Sequence, residues 1–140
     1  MLFRVFALLS LIAGLSVNAR QPASADDSTK LFQENCAACH MGEARGPDRI
    51  APPIFAVKNH YRQVHQDKDG FIDALSAWIL SPEKGKSLMP GAVRRFGLME
   101  PVDLEETSAR KIAEFIHSGE FHVPGWYAEH YRQEHGRDPD

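Results

Sequence analysis

Residues 35–42 read NCAACHMG, and this stretch holds both cysteines of a 140-residue chain. Cys36 and Cys39 stand three positions apart, and His40 follows directly. Two sulfurs at this spacing reach the two vinyl groups on one edge of a porphyrin, and the next residue is then held under the iron, where an imidazole can bind it. The same Cys-x-x-Cys also occurs in thiol oxidoreductases and as half of a four-ligand zinc set. The rest of the chain has to decide among the three.

Upstream, MLFRVFALLSLIAGLSVNAR has Arg4 near its start, an apolar run from Val5 to Val17, and two small-x-small sites, Val17-Asn18-Ala19 and Ala23-Ser24-Ala25. These features predict a secretory signal peptide over residues 1–25, cleaved after Ala25, with Ala19 as the alternative. A spanning helix needs about 20 apolar residues, so no stable membrane anchor is expected from this shorter run. Removing residues 1–25 takes Arg4 and Arg20 and no acid, leaving 14 basic against 19 acidic residues and a formal charge of −5. That balance gives no ground for a nucleic-acid partner. Export to the periplasm would place the two thiols in an oxidising compartment, where they form a disulfide unless put to another use.

Downstream, STKLFQENC (28–36) has the make-up of a short helix that delivers the cysteines at its end. Residues 41–58, with RGPDRIAPPIF at their centre, predict an extended loop whose Ile54, Phe55 and Val57 tuck against a core, followed by a short helix over 60–66. FIDALSAWIL (71–80) spaces Phe71, Ile72, Leu75, Trp78 and Ile79 as one helical face, ended by Pro82 and started by Asp69 as N-cap. Residues 81–102 alternate proline and glycine and read as a loop carrying Met89 and Met99. DLEETSARKIAEFIHSG (103–119) predicts a capped helix beginning at Asp103, with Ile112, Phe115 and Ile116 inward and Gly119 as its stop.

No stretch alternates as a strand would, so the expected fold is all-α, three to five short helices with long loops. So small a domain with such long loops needs something large and apolar at its centre. The βαβ setting of a thiol oxidoreductase and the second Cys-x-x-Cys of a zinc site are both missing from the pattern. Attachment of one haem through Cys36 and Cys39, with His40 as ligand, is the reading that remains.

With these residues set out, the mature chain resembles a class I cytochrome c, a monohaem electron carrier, over nearly all of residues 28–119. The resemblance implies a cytochrome c domain over residues 26–119 and leaves 120–140 as a C-terminal extension. It implies heme c bound through Cys36 and Cys39, His40 as proximal ligand, and an aromatic contact between Phe32 and Phe115. Pro52, twelve residues past His40, matches the family proline whose carbonyl accepts a hydrogen bond from the ligand histidine, with Pro47 as a competitor for that role.

The other face of the iron calls for a second ligand. Met41 adjoins His40 and cannot reach it. Met89 stands in SLMPGAV and has the Met-Pro pair seen in many family members, whereas Met99, in GLMEPVDLEE, lies 16 residues before Phe115, which resembles the family interval. The expected ligand is Met99, with Met89 as the alternative. The implied function is one-electron transfer between donor and acceptor proteins without catalysis on a substrate. A haem enzyme or gas sensor with an open sixth position, or a cytochrome subunit of a larger complex, are the alternatives.

Three further patterns stand out. HYRQVH (60–65) recurs as HYRQEH (130–135), but histidines five apart point about 140° from each other on a helix, so surface positions are expected rather than metal or haem ligation. HQDKDGFIDALS imitates a calcium loop without its first-position and twelfth-position acids. Lys84, Lys86, Arg94 and Arg95 cluster in the loop expected near the haem edge, a candidate rim for an acidic redox partner.

Overall fold

The computed structural model describes residues 25–41 and 48–138; residues 1–24 of the expected signal peptide and Pro47 lie outside the described residues. Within them the protein is all-helical. Helix α1 (Ala25–Phe32) runs through a π-helical turn, Gln33–Ala37, into the short α2 (Ala38–His40), so both cysteines and His40 ride on one helical rod. Then come α3 (Ile54–Val64), α4 (Lys68–Leu80), a 3-10 turn at Lys84–Lys86, α5 (Pro90–Phe96), α6 (Glu106–Ser118) and α7 (Gly125–His135).

The number of helical segments exceeds the expected three to five, and the differences have local causes. Residues 54–58 are helical rather than extended: Pro53 is itself extended, and its carbonyl accepts from the N–H groups of Ala56 and Val57 at 3.0 and 3.2 Å. Proline lacks an N–H, which the first turn of a helix does not use, so Pro52-Pro53 starts α3 rather than holding a loop open. The same logic places Pro90 at the first turn of α5, inside the segment expected to be loop throughout. Helix α4 is capped by Asp67, not Asp69, with Oδ1 accepting from the Gly70 N–H at 2.7 Å. Helix α6 starts at Glu106, three residues after Asp103, and has no side-chain cap.

Helix α6 is the central element and packs against both α1 and α4. Its Ala109, Ile112 and Ala113 are fully buried, with Ile116 nearly so, and they meet Phe32 from α1 and Phe71, Leu75 and Ile79 from α4. The expected aromatic contact between the terminal helices is present: the Phe32 and Phe115 rings lie 5.0 Å apart, and Phe121 joins them at 6.1 and 6.0 Å. Ion pairs Lys111–Asp27, Arg110–Asp73 and Lys68–Glu114 tie α6 to the same two neighbours at 2.5 to 2.6 Å. Being largely exposed, they orient the helices more than they stabilise them.

The C-terminal end of α6 is held from α3. Lys58 Nζ donates to the Gly119 carbonyl at 2.5 Å and Arg62 Nη2 to that of His117 at 3.1 Å, two cations at the negative end of a helix. Gly119 stops α6 by close approach rather than by a left-handed turn, for its φ is −64°. A Cβ there would lie 2.8 Å from the Phe115 carbonyl oxygen and 3.1 Å from the Phe121 ring. Gly119→Ala is therefore expected to lower stability by about 1–3 kcal/mol, measured by denaturant unfolding.

His117 sits edge-on to Phe71 at 5.0 Å. Burial, then the cations Arg62, Lys58 and Lys68, hold its pKa below the ordinary value, so folding favours the neutral ring. This contribution is fully present above the unfolded pKa and is lost as the pH falls through the folded one. Acidification below about pH 6.5 should destabilise the protein, and His117→Gln should flatten that dependence in melts between about pH 7 and 5.

The C-terminal residues form part of the packed structure. Helix α7 lies on α3 through a second apolar cluster of Phe55, Ala56, Tyr127 and Tyr131. Gln63 donates to the Tyr131 hydroxyl, and the His60 and Tyr131 rings meet at 6.4 Å. The two HYRQxH segments thus belong to α3 and α7, with His60 of the first meeting Tyr131 of the second. No helix among the described residues is long and apolar enough to cross a membrane.

Candidate functional site

The rod α1–α2 ends beside an open cavity of about 530 Å³. Cys36, Cys39 and His40 form one part of its wall. Ile54, Val57 and Tyr61 of α3 line a second part, and Leu75, Trp78 and Ile79 of α4 a third. A fourth part comes from residues 87–103, which contribute Val93 and Phe96 of α5 as well as both Met89 and Met99. Exposed Ile50 and Leu98 also border it.

The Cys36 thiol is shifted away from the form that a redox-active motif uses. Burial, with the neighbouring Cys39 sulfur, pushes the Cys36 thiol up to about 11. A reactive Cys-x-x-Cys needs the opposite shift, toward thiolate. His40 Nδ1 donates to the Pro52 carbonyl at 2.7 Å, and a carbonyl can only accept, so the proton is fixed on Nδ1 and the Nε2 lone pair is left for a ligand. Burial pushes the His40 pKa down against this bond, favouring the neutral imidazole that binds metals.

The sequence candidates therefore come together, with Pro52 against His40 and both methionines on the cavity wall. His60 and His65 are not part of that wall, and His60 Nδ1 donates back to the Ala56 carbonyl at 2.8 Å. Among the described residues no three His, Cys, Asp or Glu side chains gather as a metal site of their own. Trp78 lines the cavity and Tyr127 is buried, while Trp126 is 45% exposed. The sequence reading missed Tyr61 and the α5 wall. Ile54, Val57 and Tyr61 fall at i, i+3 and i+7, a helical signal hidden by reading the prolines before them as loop.

A mostly apolar cavity within the 300–1,000 Å³ range of cofactor sites, with two thiols, an imidazole and thioethers on its wall, fits an iron porphyrin. A family model described as cytochrome c matches residues 25–120. The chain belongs to the cytochrome c family. Comparison with curated proteins and with solved structures gave no match. As a c-type cytochrome it is a haem-binding protein, and Cys36 and Cys39 have the spacing for covalent attachment. Helix α7 of this cytochrome lies beyond the matched residues.

Proposed function

We propose that this cytochrome is an exported single-electron carrier, with heme c bound through Cys36 and Cys39, His40 as proximal ligand and Met99 on the other face of the iron. The observation that carries the reading is the shared cavity onto which the motif and both methionines open. When bound, the haem supplies one iron that gains or loses one electron. The chain's residues hold and tune it: Pro52 orients His40, and Ile54, Val57, Leu75 and Ile79 keep water from its faces.

Met99 is favoured over Met89 by its surroundings. Gly97, at φ 86°, turns the chain out of α5 while its N–H donates to the Val93 carbonyl at 3.0 Å, and the Val102 N–H donates to the Ile79 carbonyl at 3.0 Å, so the segment with Met99 is hydrogen-bonded at both ends. Met89 already packs against both apolar clusters. Helix α5 occupies most of the stretch between the two and accounts for the longer interval from Met89 to Phe115.

The domain is taken as residues 26–119 with an extension at 120–140, and the amino-terminal 25 residues as a cleaved signal to the periplasm. Partners are redox donor and acceptor proteins. Exposed Lys84, Lys86 and Arg94 stand on or beside the 87–103 wall, where a basic rim on an acidic protein would steer an acidic partner. Transfer rates to such a partner should fall as salt rises; rates indifferent to ionic strength would remove the steering. The reading as a carrier is tested by exposing the reduced holoprotein to carbon monoxide. A closed sixth position resists binding, and prompt saturation would favour an enzyme or sensor instead.

A further inference from the structure

A second cavity, of about 550 Å³, lies on the far side of the wall made by His40 and Ile54, the two residues it shares with the first. Pro53, Ile54 and Phe55 line it from the start of α3. Facing them are Phe121, His122, Pro124 and Trp126, all from the C-terminal residues beyond α6. His40 thus borders both this outer cavity and the proposed haem pocket.

We infer that α7 and the segment leading into it are a positioning element for His40, bracing Phe55 and limiting water at the bond between His40 Nδ1 and the Pro52 carbonyl. The inference rests on the reading of His40 as ligand. Phe55 is the second residue of α3, three after Pro52, and its ring meets the buried Tyr127 edge-on at 4.6 Å, the shortest centroid separation among the ring pairs described. Tyr127 is fixed in turn: its N–H donates to the Pro124 carbonyl at 2.9 Å, and its ring lies 5.8 Å from that of Tyr131, which is 1% exposed. A rigid chain of contacts thus runs from α7 through Phe55 to the turn that presents the Pro52 carbonyl. Loosening it would let that carbonyl and water compete for the Nδ1 proton, and the orientation of the ring would follow.

The test is exchange of the His40 Nδ1 proton with solvent, followed by NMR on the reduced holoprotein. Tyr127→Leu is expected to speed exchange by about tenfold, while Tyr127→Phe, which keeps the ring, restores it to within about twofold of the wild type. Trp126→Ala, a change at an exposed position, opens the same cavity without a core defect and should act in the same direction. Ile112→Val, in the α6 core, lowers stability without touching this chain of contacts and should leave exchange unchanged. Equal acceleration by Ile112→Val, or no acceleration by either Tyr127→Leu or Trp126→Ala, would overturn the inference. A wild-type chain without covalent haem would instead overturn the functional reading, and this inference with it; intact mass separates the two failures.

Discussion

Replacing Cys36 and Cys39 together by alanine is expected to abolish the folded protein, not merely its colour. The cavity they border measures about 530 Å³. Without covalent haem its apolar walls would face water, at a cost of about 25 cal/mol for each Å² of apolar surface left exposed. A domain of this size has a total stability of only about 5–15 kcal/mol. The walls, Ile54, Val57, Leu75, Ile79 and Ile116, would therefore collapse inward or separate, and helices joined by so few turns of chain would not hold their places. The double variant should lose the mass increment of covalent haem and its cooperative thermal transition together, seen by intact mass and circular dichroism. A sharp melt in a haem-free double variant would show that the helices fold on their own.

The second large effect is expected at Met99. Met99→Ala removes the thioether proposed for the sixth position, so the ferric protein should lose its iron–thioether absorption band. Its reduction potential should fall, because a methionine ligand raises it. The reduced variant should take up carbon monoxide on mixing. Met89→Ala should do none of this. Its side chain fills space between the two apolar clusters, and its loss should lower stability by about 2 kcal/mol while leaving the iron's ligands intact. Reversal of the two results would transfer the ligand role to Met89 and make Met99 the packing residue.

Much of this arrangement was legible in the sequence, and the residues show why. The inward faces of α4 and α6 depend on spacing along single helices, which periodicity reports directly, the motif at 36–40 is read from its local spacing, and the pairing of Phe32 with Phe115 is what the family resemblance implies. Pro52 comes from the family resemblance, with Pro47 as its competitor, and the Pro52 carbonyl lies at hydrogen-bond distance from the His40 ring. The misreadings cluster where prolines stand. Proline marks both the end of regular structure and the first turn of a helix, and only the following residues distinguish the two; the first half of α3 and all of α5 were lost to that ambiguity. The place of α7 was hidden for a different reason. Its contact with α3 is long-range, between Tyr127 and Phe55, and no local pattern announces which distant face a tail will cover.

The most direct measurement is the absorption spectrum of the purified holoprotein in both oxidation states, with carbon monoxide added to the reduced form. The account predicts one covalently bound haem per chain, an iron–thioether band in the ferric state, and a reduced spectrum that carbon monoxide leaves unchanged. A missing band together with rapid carbon monoxide binding would contradict it, because the iron would then have an open face and the protein would not be a plain electron carrier.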